Sequence, residues 1–267
     1  HGLENSALIS FFRSPIRFSD LGFQEKEKLL SVSYNNLVDW HIQIELDGIS
    51  FVYVRTRTPK IVDHYSISRD NLDNLRSNKF EQVVGRRPNP NIPALDDALI
   101  DTISFWKRNL SAELGNQVDN ENLSALFNSI IFTRAIEDNY KRIHPETVNI
   151  LLSAWQNNPQ NNPIRTVLRN TLEQLSGQIP NFLFDEEKLV IFDRLYPDTV
   201  WALLADFYRN KNVPYPYDFS VMSKHALSRI YEHYVSILNI EDSPQLTLFP
   251  RFPEEERNKG FGSVYTP

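Results

Sequence analysis

Residues 38–55 read VDWHIQIELDGISFVYVR, and they give the firmest indication of structure in the amino-terminal part of the chain. From Val38 to Leu46 apolar and polar residues alternate, a period of two that is typical of a half-buried β-strand. Asp47-Gly48 follows, and this pair is favoured in tight hairpin turns. The segment therefore predicts a β-hairpin.

A turn centred on Asp47-Gly48 also predicts a register. The opposed pairs all fall on one face of the hairpin, and they are Leu46–Ile49, Ile44–Phe51, Ile42–Tyr53 and Trp40–Arg55. Because two strands alone are marginally stable, the hairpin needs further support. We expect that support from a helix at 23–32 or at 70–80, or from an upstream segment that this sequence lacks.

The periodicity changes after Gly85–Pro93, which contains three prolines in six residues and resists both helix and sheet. From Leu95 to Leu114 the apolar residues recur every three or four positions, and Gly115 is placed to end that helix. This segment is therefore predicted to be a linker that leads into a helical region.

Capping residues mark the next helices. Asp119 or Asn120 can cap a helix that continues through Ile131, Pro145 suits the first turn of a helix over 146–156, and Pro163 suits one that ends near Ser176. Further helices are predicted at 186–194, 198–210 and 223–239.

The predicted fold class is α+β. A small domain that contains the β-hairpin spans 1–85, a linker spans 86–93, a mostly α-helical bundle spans 94–239, and an extended tail spans 240–267. The tail has four prolines, three consecutive glutamates and no sustained period. A chain of 267 residues is long enough for one large domain or two modest ones.

Composition narrows the function classes. With no cysteines, the chain has neither disulfides nor thiolate metal sites, which agrees with a reducing cytoplasm. The net charge of −6 argues against a surface that is basic throughout, so any contact with nucleic acid must use a local patch. No apolar run approaches the length of a membrane span. We expect a cytoplasmic protein with no membrane partner.

Three stretches resemble adenine-N6 DNA methyltransferases, chiefly those of bifunctional (type IIG-like) restriction–modification enzymes. Phe105–Leu110 is similar to the W-[KR]-x-x-L helix of that family, and Ile131–Asp138 looks like its I-F-x-R-x-x-E-D helix. Leu227–Tyr234 followed by Gly260–Pro267 resembles its x-I-Y-E-x-x-L helix and Gly-x-x-Tyr-Thr-Pro loop. The resemblance covers about 94–267, and it departs from the family where Ser228 replaces a usual glycine.

The resemblance implies that a bacterial parent enzyme transfers a methyl group from S-adenosylmethionine to a flipped adenine. In that family the terminal loop lies against the cofactor. Tyr265, Thr266 and Pro267 would then contact S-adenosylmethionine, while Gly262 and Ser263 would shape the approach.

The catalytic motifs that follow this loop in the family, a Gly-rich turn and Asn-Pro-Pro-Tyr, do not occur in the sequence. We therefore expect a fragment, cut at both ends, that has no catalytic residues and binds no cofactor alone. Its expected partners are double-stranded DNA and its own downstream methyltransferase domain.

Arg134, Glu137 and Asp138 are spaced three and four residues apart, so they can meet on one helix face. For this trio we predict an ion-pair network that locks helices together, without a catalytic role.

Pairs of basic residues are the candidates for DNA contact, because Lys and Arg neutralise phosphates. The candidates are Arg86 and Arg87 in the linker, Lys107 and Arg108 beside Trp106, and Arg165 and Arg169 one turn apart, with Arg55 and Arg57 as a further group on the hairpin.

The motifs present predict neither a nuclease nor a metal site, and a nuclease built on 3–85 together with a missing upstream part is kept as a third, remote alternative. The Glu-x-Lys at Glu186–Lys188 opens a helix, and Pro197-Asp198 follows it in the wrong order for a nuclease motif. The six histidines include no His-x-x-x-His pair. The alternative function is a non-enzymatic helical protein-interaction domain, which would be favoured by a natural stop codon after Pro267. A reading frame that continues past Pro267 into a Gly-rich strand–turn and an Asn-Pro-Pro-Tyr motif would favour the methyltransferase.

Overall fold

A computed structural model of the chain describes residues 7–11, 17–58, 61–73, 75, 89–146, 149–158, 162–177, 184–222 and several positions between 227 and 238. The fold is α+β, as the sequence predicts. A four-stranded sheet is built from the amino-terminal part, and helices form most of the rest. No helix among the described residues has both the length and the apolar composition needed to cross a membrane.

The sheet has the strand order β1-β2-β3-β4. The strands are β1 (Ala7–Phe11), β2 (Trp40–Ile44), β3 (Ile49–Tyr53) and β4 (Ile61–Tyr65). β1 pairs with β2 in parallel, while the other two pairings are antiparallel. A parallel pair needs a crossover connection, and this one contains the helix α1 (Phe23–Asn35). The 23–32 segment is thus one of the supports that the hairpin was expected to need.

The hairpin of β2 and β3 is confirmed, but its predicted register is wrong by two residues. Trp40 pairs with Tyr53, and Ile44 pairs with Ile49. The Glu45 amide donates to the Gly48 carbonyl at 2.8 Å, so the tight turn is centred on Leu46-Asp47. Because the shift is even, the predicted apolar residues of the strands keep a common face, and only Leu46 leaves it, with 65% of its surface exposed.

Gly48 lies where β4 approaches the start of β3. A Cβ at this position would overlap the His64 ring and lie 3.0 Å from the Tyr65 carbonyl oxygen. Among the described glycines, those at positive φ are Gly115 and Gly177. Gly48 therefore lets β4 approach β3 closely, and it does not serve as the left-handed residue of the turn.

Seven further helices are α2 (Arg69–Asp73), α3 (Leu95–Leu114), α4 (Asn120–Ile143), α5 (Ile150–Gln156), α6 (Ile164–Ser176), α7 (Glu186–Leu189) and α8 (Pro197–Asp206). Short 3₁₀ turns occur at Phe18–Asp20, Gly115–Gln117 and Val190–Arg194. The described positions from 227 to 238 are also helical.

The predicted start and stop signals of α3, α4 and α6 are confirmed. Gly115 follows α3 at φ 66°, and the Asp119 carboxylate accepts the Asn122 amide at the start of α4. Pro163 directly precedes α6.

Three predicted helices need correction. The helix predicted at 146–156 begins at Ile150, because Asn149 before it is left-handed at φ 44°. The segment 186–194 divides into α7 and a 3₁₀ turn. The helix predicted at 198–210 runs from Pro197 to Asp206, and the Phe207 carbonyl beyond its end accepts a hydrogen bond from Arg134.

The main hydrophobic core is continuous across the predicted boundary at 86–93. Phe18, Leu30 and Val54 belong to the same cluster of buried residues as the helices from α3 to α8. The Tyr215 hydroxyl donates to the Val54 carbonyl at 2.8 Å, which joins the sheet to the helical part. A smaller apolar cluster contains Trp40 and Phe51 on the other face of the sheet. The division into domains at 86–93 stays a prediction.

Candidate functional site

Arg134, Glu137 and Asp138 lie on one face of α4 and are buried, with 1%, 0% and 7% of their surface exposed. Their spacing brings the guanidinium between both carboxylates. Arg134 Nη1 donates to Glu137 Oε2 at 2.8 Å, and Nη2 donates to Asp138 Oδ2 at 2.8 Å. The predicted ion-pair trio is therefore present in the structure, deep inside the helical part.

The trio extends into a larger cluster, the Arg134 network, which consists of Arg134, Glu137, Asp138, Lys141 and Tyr208. Lys141 Nζ lies 3.0 Å from Glu137 Oε1 and 3.5 Å from Asp138 Oδ1. The Tyr208 hydroxyl donates to Glu137 Oε2 at 2.6 Å. The Arg134 guanidinium also lies 3.7 Å from the centre of the Tyr208 ring, which adds a cation–π contact.

Backbone groups from separate elements complete the network. The Ile150 amide at the start of α5 donates to Glu137 Oε1 at 2.6 Å. The Phe219 amide donates to Asp138 Oδ2 at 3.0 Å. Arg134 donates to the carbonyls of Phe207 and Tyr217 at 3.4 and 3.5 Å. One helix face thus fixes the segment that follows α8 and the start of α5.

The pKa shifts of Arg134 and Glu137 favour their charged forms, whereas that of Asp138 has the opposite direction. Burial favours the neutral form of Glu137, but Arg134, Tyr208 and Lys141 outweigh burial and hold the pKa of Glu137 below its ordinary value. For Asp138 burial prevails over Arg134 and raises the pKa. Burial also opposes ionisation of Arg134, yet the two carboxylates raise its pKa, so it stays protonated.

Both oxygens of Glu137 already accept two donors each, because Oε2 binds Arg134 and Tyr208 while Oε1 binds Ile150 and Lys141. A carboxylate that is saturated and inaccessible has no free position for a substrate or a metal ion. The role that this arrangement supports is structural, because its groups bind other parts of the fold.

The candidate DNA-contacting residues on α6 lie in ion pairs. Arg165 Nε donates to Asp193 Oδ2 at 2.8 Å, and Arg169 pairs with Glu186. On α3, Lys107 is partly buried and Arg108 is exposed. The structure distributes these four residues over two helices, and Arg86 and Arg87 lie outside the described residues.

On the hairpin, Arg55 lies 3.8 Å from Asp39 and donates to the Ile92 carbonyl at 3.4 Å. The Arg57 amide donates to Asn91, and the residue is exposed. The predicted cofactor-contacting residues Gly262, Ser263, Tyr265, Thr266 and Pro267 lie outside the described residues.

The sheet contains a second buried polar cluster that the sequence did not reveal. His41, Gln43, Glu45 and Ser50 form a polar sheet face, opposite to the face of Trp40 and Phe51, and each is at most 4% exposed. Strict alternation predicts that these residues face water. The structure instead buries β2 and β3 on both faces, and Ser33 from α1 contacts the polar sheet face.

Hydrogen bonds within the polar sheet face are incomplete. Gln43 Nε2 donates to Glu45 Oε1 at 3.0 Å, and the same oxygen accepts the Phe18 amide at 2.6 Å. Ser33 Oγ lies 3.1 Å from His41 Nδ1. Within the described part of the chain, His41 Nε2 and Gln43 Oε1 have no hydrogen-bond partner.

Within the same described part, no group of three or more His, Asp or Glu side chains is arranged to hold a metal ion. No protein-family model, curated protein or solved structure matches this chain.

Proposed function

We propose that this chain is the non-catalytic amino-terminal and helical connector region of a site-specific adenine DNA methyltransferase from a restriction–modification system. In the parent enzyme it positions the catalytic domain on double-stranded DNA. It also supplies the first loop of the S-adenosylmethionine pocket through Gly262, Ser263 and residues 265–267. The proposal rests on the sequence resemblance, and the structural observation that supports it best is the Arg134 network.

The Arg134 network fits a connector because it ties separate elements into one unit. A single helix face on α4 holds the start of α5 and the segment 207–219 through buried, charge-assisted hydrogen bonds. Such bonds are strong only when all partners are in place, so the helical part resists bending. A stiff arm of this kind suits the task of orienting an attached catalytic domain.

DNA contact by the connector is expected to be weak. Arg165 and Arg169 can bind phosphates only after their ion pairs with Asp193 and Glu186 break. The loss of these ion pairs reduces the free energy gained by binding DNA. Arg108 is exposed on α3 and has no ion-pair partner among the described residues, so it can bind a phosphate without breaking an ion pair.

The direct test is a methylation assay on the full-length product of the gene that encodes this chain. We expect N6-methyladenine to form in duplex DNA with S-adenosylmethionine, and we expect Tyr265→Ala in that product to reduce methylation at least about tenfold. Gln24→Ala, at an exposed position of α1 outside the resemblance, serves as the control. If the full-length product methylates no DNA, the alternative of a non-enzymatic protein-interaction domain is favoured.

A second test uses the 267-residue chain alone. Fluorescence anisotropy with a labelled duplex should show weak binding without sequence preference, which weakens steeply as salt rises. Methylation by the chain alone, or tight sequence-specific binding, would contradict the connector role.

A further inference from the structure

A surface cleft lies where the end of α5 meets the start of α8, and no residue of the Arg134 network lines it. We call it the Trp155–Trp201 cleft. Its volume is about 270 Å³, and it is lined by Trp155, Gln156, Asn158, Pro197, Asp198 and Trp201. Drug-sized or cofactor-sized ligands occupy pockets of roughly 300–1,000 Å³. The cleft therefore suits a small group or a single side chain.

The charge of the lining residues indicates whether the cleft favours a cation or an anion. Asp198 is the one ionisable residue that lines the cleft, and it is exposed in the first turn of α8. Its carboxylate has no ion-pair partner among the residues that the structure describes. An anion placed here would be repelled by Asp198, whereas a cation would gain a counter-ion.

The two tryptophans add a second preference for cations. Trp155 and Trp201 are both partly exposed, whereas Trp40 and Trp106, the other two tryptophans of the chain, are buried at 2% and 5% exposure. The face of an indole ring attracts an ammonium or guanidinium group more strongly than other aromatic rings do. Two indole side chains and one carboxylate thus line the same small space, and these are the groups that favour an organic cation.

We propose that the Trp155–Trp201 cleft binds an organic cation of the guanidinium or alkylammonium class. The carboxylate of Asp198 supplies the charge, and the indole rings supply cation–π contacts. The cation comes either from a free small molecule or from an arginine or lysine side chain of a protein partner. This inference is independent of the methyltransferase proposal.

Tryptophan fluorescence of the intact chain reports on the site, because the exposed indoles are those at the cleft. The probe is N-acetylarginine methylamide, and its matched control is N-acetylcitrulline methylamide, which has nearly the same shape without the charge. We expect saturable quenching by the arginine compound and little by the citrulline compound. Equal binding of the two compounds, or tighter binding of a neutral methyl glucoside, would overturn the proposal.

The Asp198→Asn variant tests the carboxylate. We expect it to bind the arginine compound about three- to tenfold more weakly, since it loses the counter-ion but keeps the rings. Asp97→Asn is the matched control, because Asp97 is likewise an exposed acid in the first turn of a helix, α3. If both variants bind as the unchanged chain does, the site is not the one proposed.

A final titration separates the two sources of the cation. A short peptide with one arginine in a neutral sequence is compared with the free arginine compound at the same ionic strength. Binding of the peptide at least about tenfold more tightly assigns the site to a protein side chain, and equal affinity assigns it to a free cation.

Discussion

The Arg134 network and the polar sheet face are both buried, but their hydrogen bonding differs. The Arg134 network is charged, and the two oxygens of Glu137 are fully used by Arg134, Tyr208, Lys141 and the Ile150 amide. The polar sheet face leaves His41 Nε2 and Gln43 Oε1 without partners among the described residues. Buried charge is retained where several elements converge to satisfy it, whereas a flat sheet face offers fewer directions for partners.

The difference also concerns protonation. Arg134 stays charged because carboxylates surround it, while burial without a described counter-ion lowers the pKa of His41 to about 4 and keeps it neutral at pH 7. The free energy that the Arg134 network contributes to folding should therefore depend most on keeping all its partners. The contribution of the polar sheet face should depend most on pH.

Removing the guanidinium should have the largest effect. Arg134→Met leaves Glu137 and Asp138 as buried carboxylates that have lost their main partner, and we expect the free energy of unfolding to fall by about 3–5 kcal/mol. Urea denaturation at pH 7 measures this. Arg169→Met, which breaks a surface pair with Glu186, should cost less than about 1 kcal/mol. Similar losses in the two variants would show that the Arg134 network is no stronger than a surface ion pair.

A fall in pH should act mainly on the polar sheet face. The folded pKa of His41 lies below that of the unfolded chain, so its contribution to stability is present above pH 6.5 and is lost as pH falls toward 4. We expect a loss of about 2 kcal/mol between pH 7 and pH 5 from this residue. Urea denaturation at both values, compared with His41→Gln, isolates the contribution. An unchanged pH dependence in His41→Gln would contradict this assignment.

Adding a methyl group at Gly48 tests the register of the sheet. The new Cβ of Gly48→Ala meets the His64 ring and the Tyr65 carbonyl, so we expect a loss of about 1–3 kcal/mol. Thermal unfolding measures it, and the double variant Gly48→Ala with His64→Ala should recover part of the loss. An absence of coupling between the two positions would contradict the close approach of His64 to Gly48.

The smallest effect is expected at the edge of the polar sheet face. Ser50 Oγ lies 3.0 Å from His64 Nδ1, and His64 is exposed enough for water to replace the hydroxyl. Ser50→Ala should therefore cost only about 1 kcal/mol in urea denaturation. A loss above about 3 kcal/mol would mean that the polar sheet face is as tightly coupled as the Arg134 network.

Local signals predicted much of this structure. The spacing of apolar residues predicted α3 and α4. Gly115 predicted the end of α3 and Asp119 the start of α4, because these signals act within one or two turns of the chain. The spacing of Arg134, Glu137 and Asp138 predicted their ion pairs for the same reason.

Long-range partners were not predictable in the same way. Tyr208 and the Phe219 amide complete the Arg134 network from more than 70 residues away, and nothing near them in the sequence marks that role. The close approach of β4 to Gly48 also involves a strand outside the hairpin, and no signal within the hairpin reports it. The burial of the polar sheet face likewise depended on what covers it.

The fold class, the hairpin and the ends of several helices follow from the order of the residues, because propensity, capping and periodicity are properties of neighbouring residues. Which polar side chains are buried, and whether their hydrogen bonds are complete, depends on how distant segments pack together. Burial depends on which elements pack against each face, and for His41 and Arg134 those elements come from separate parts of the chain.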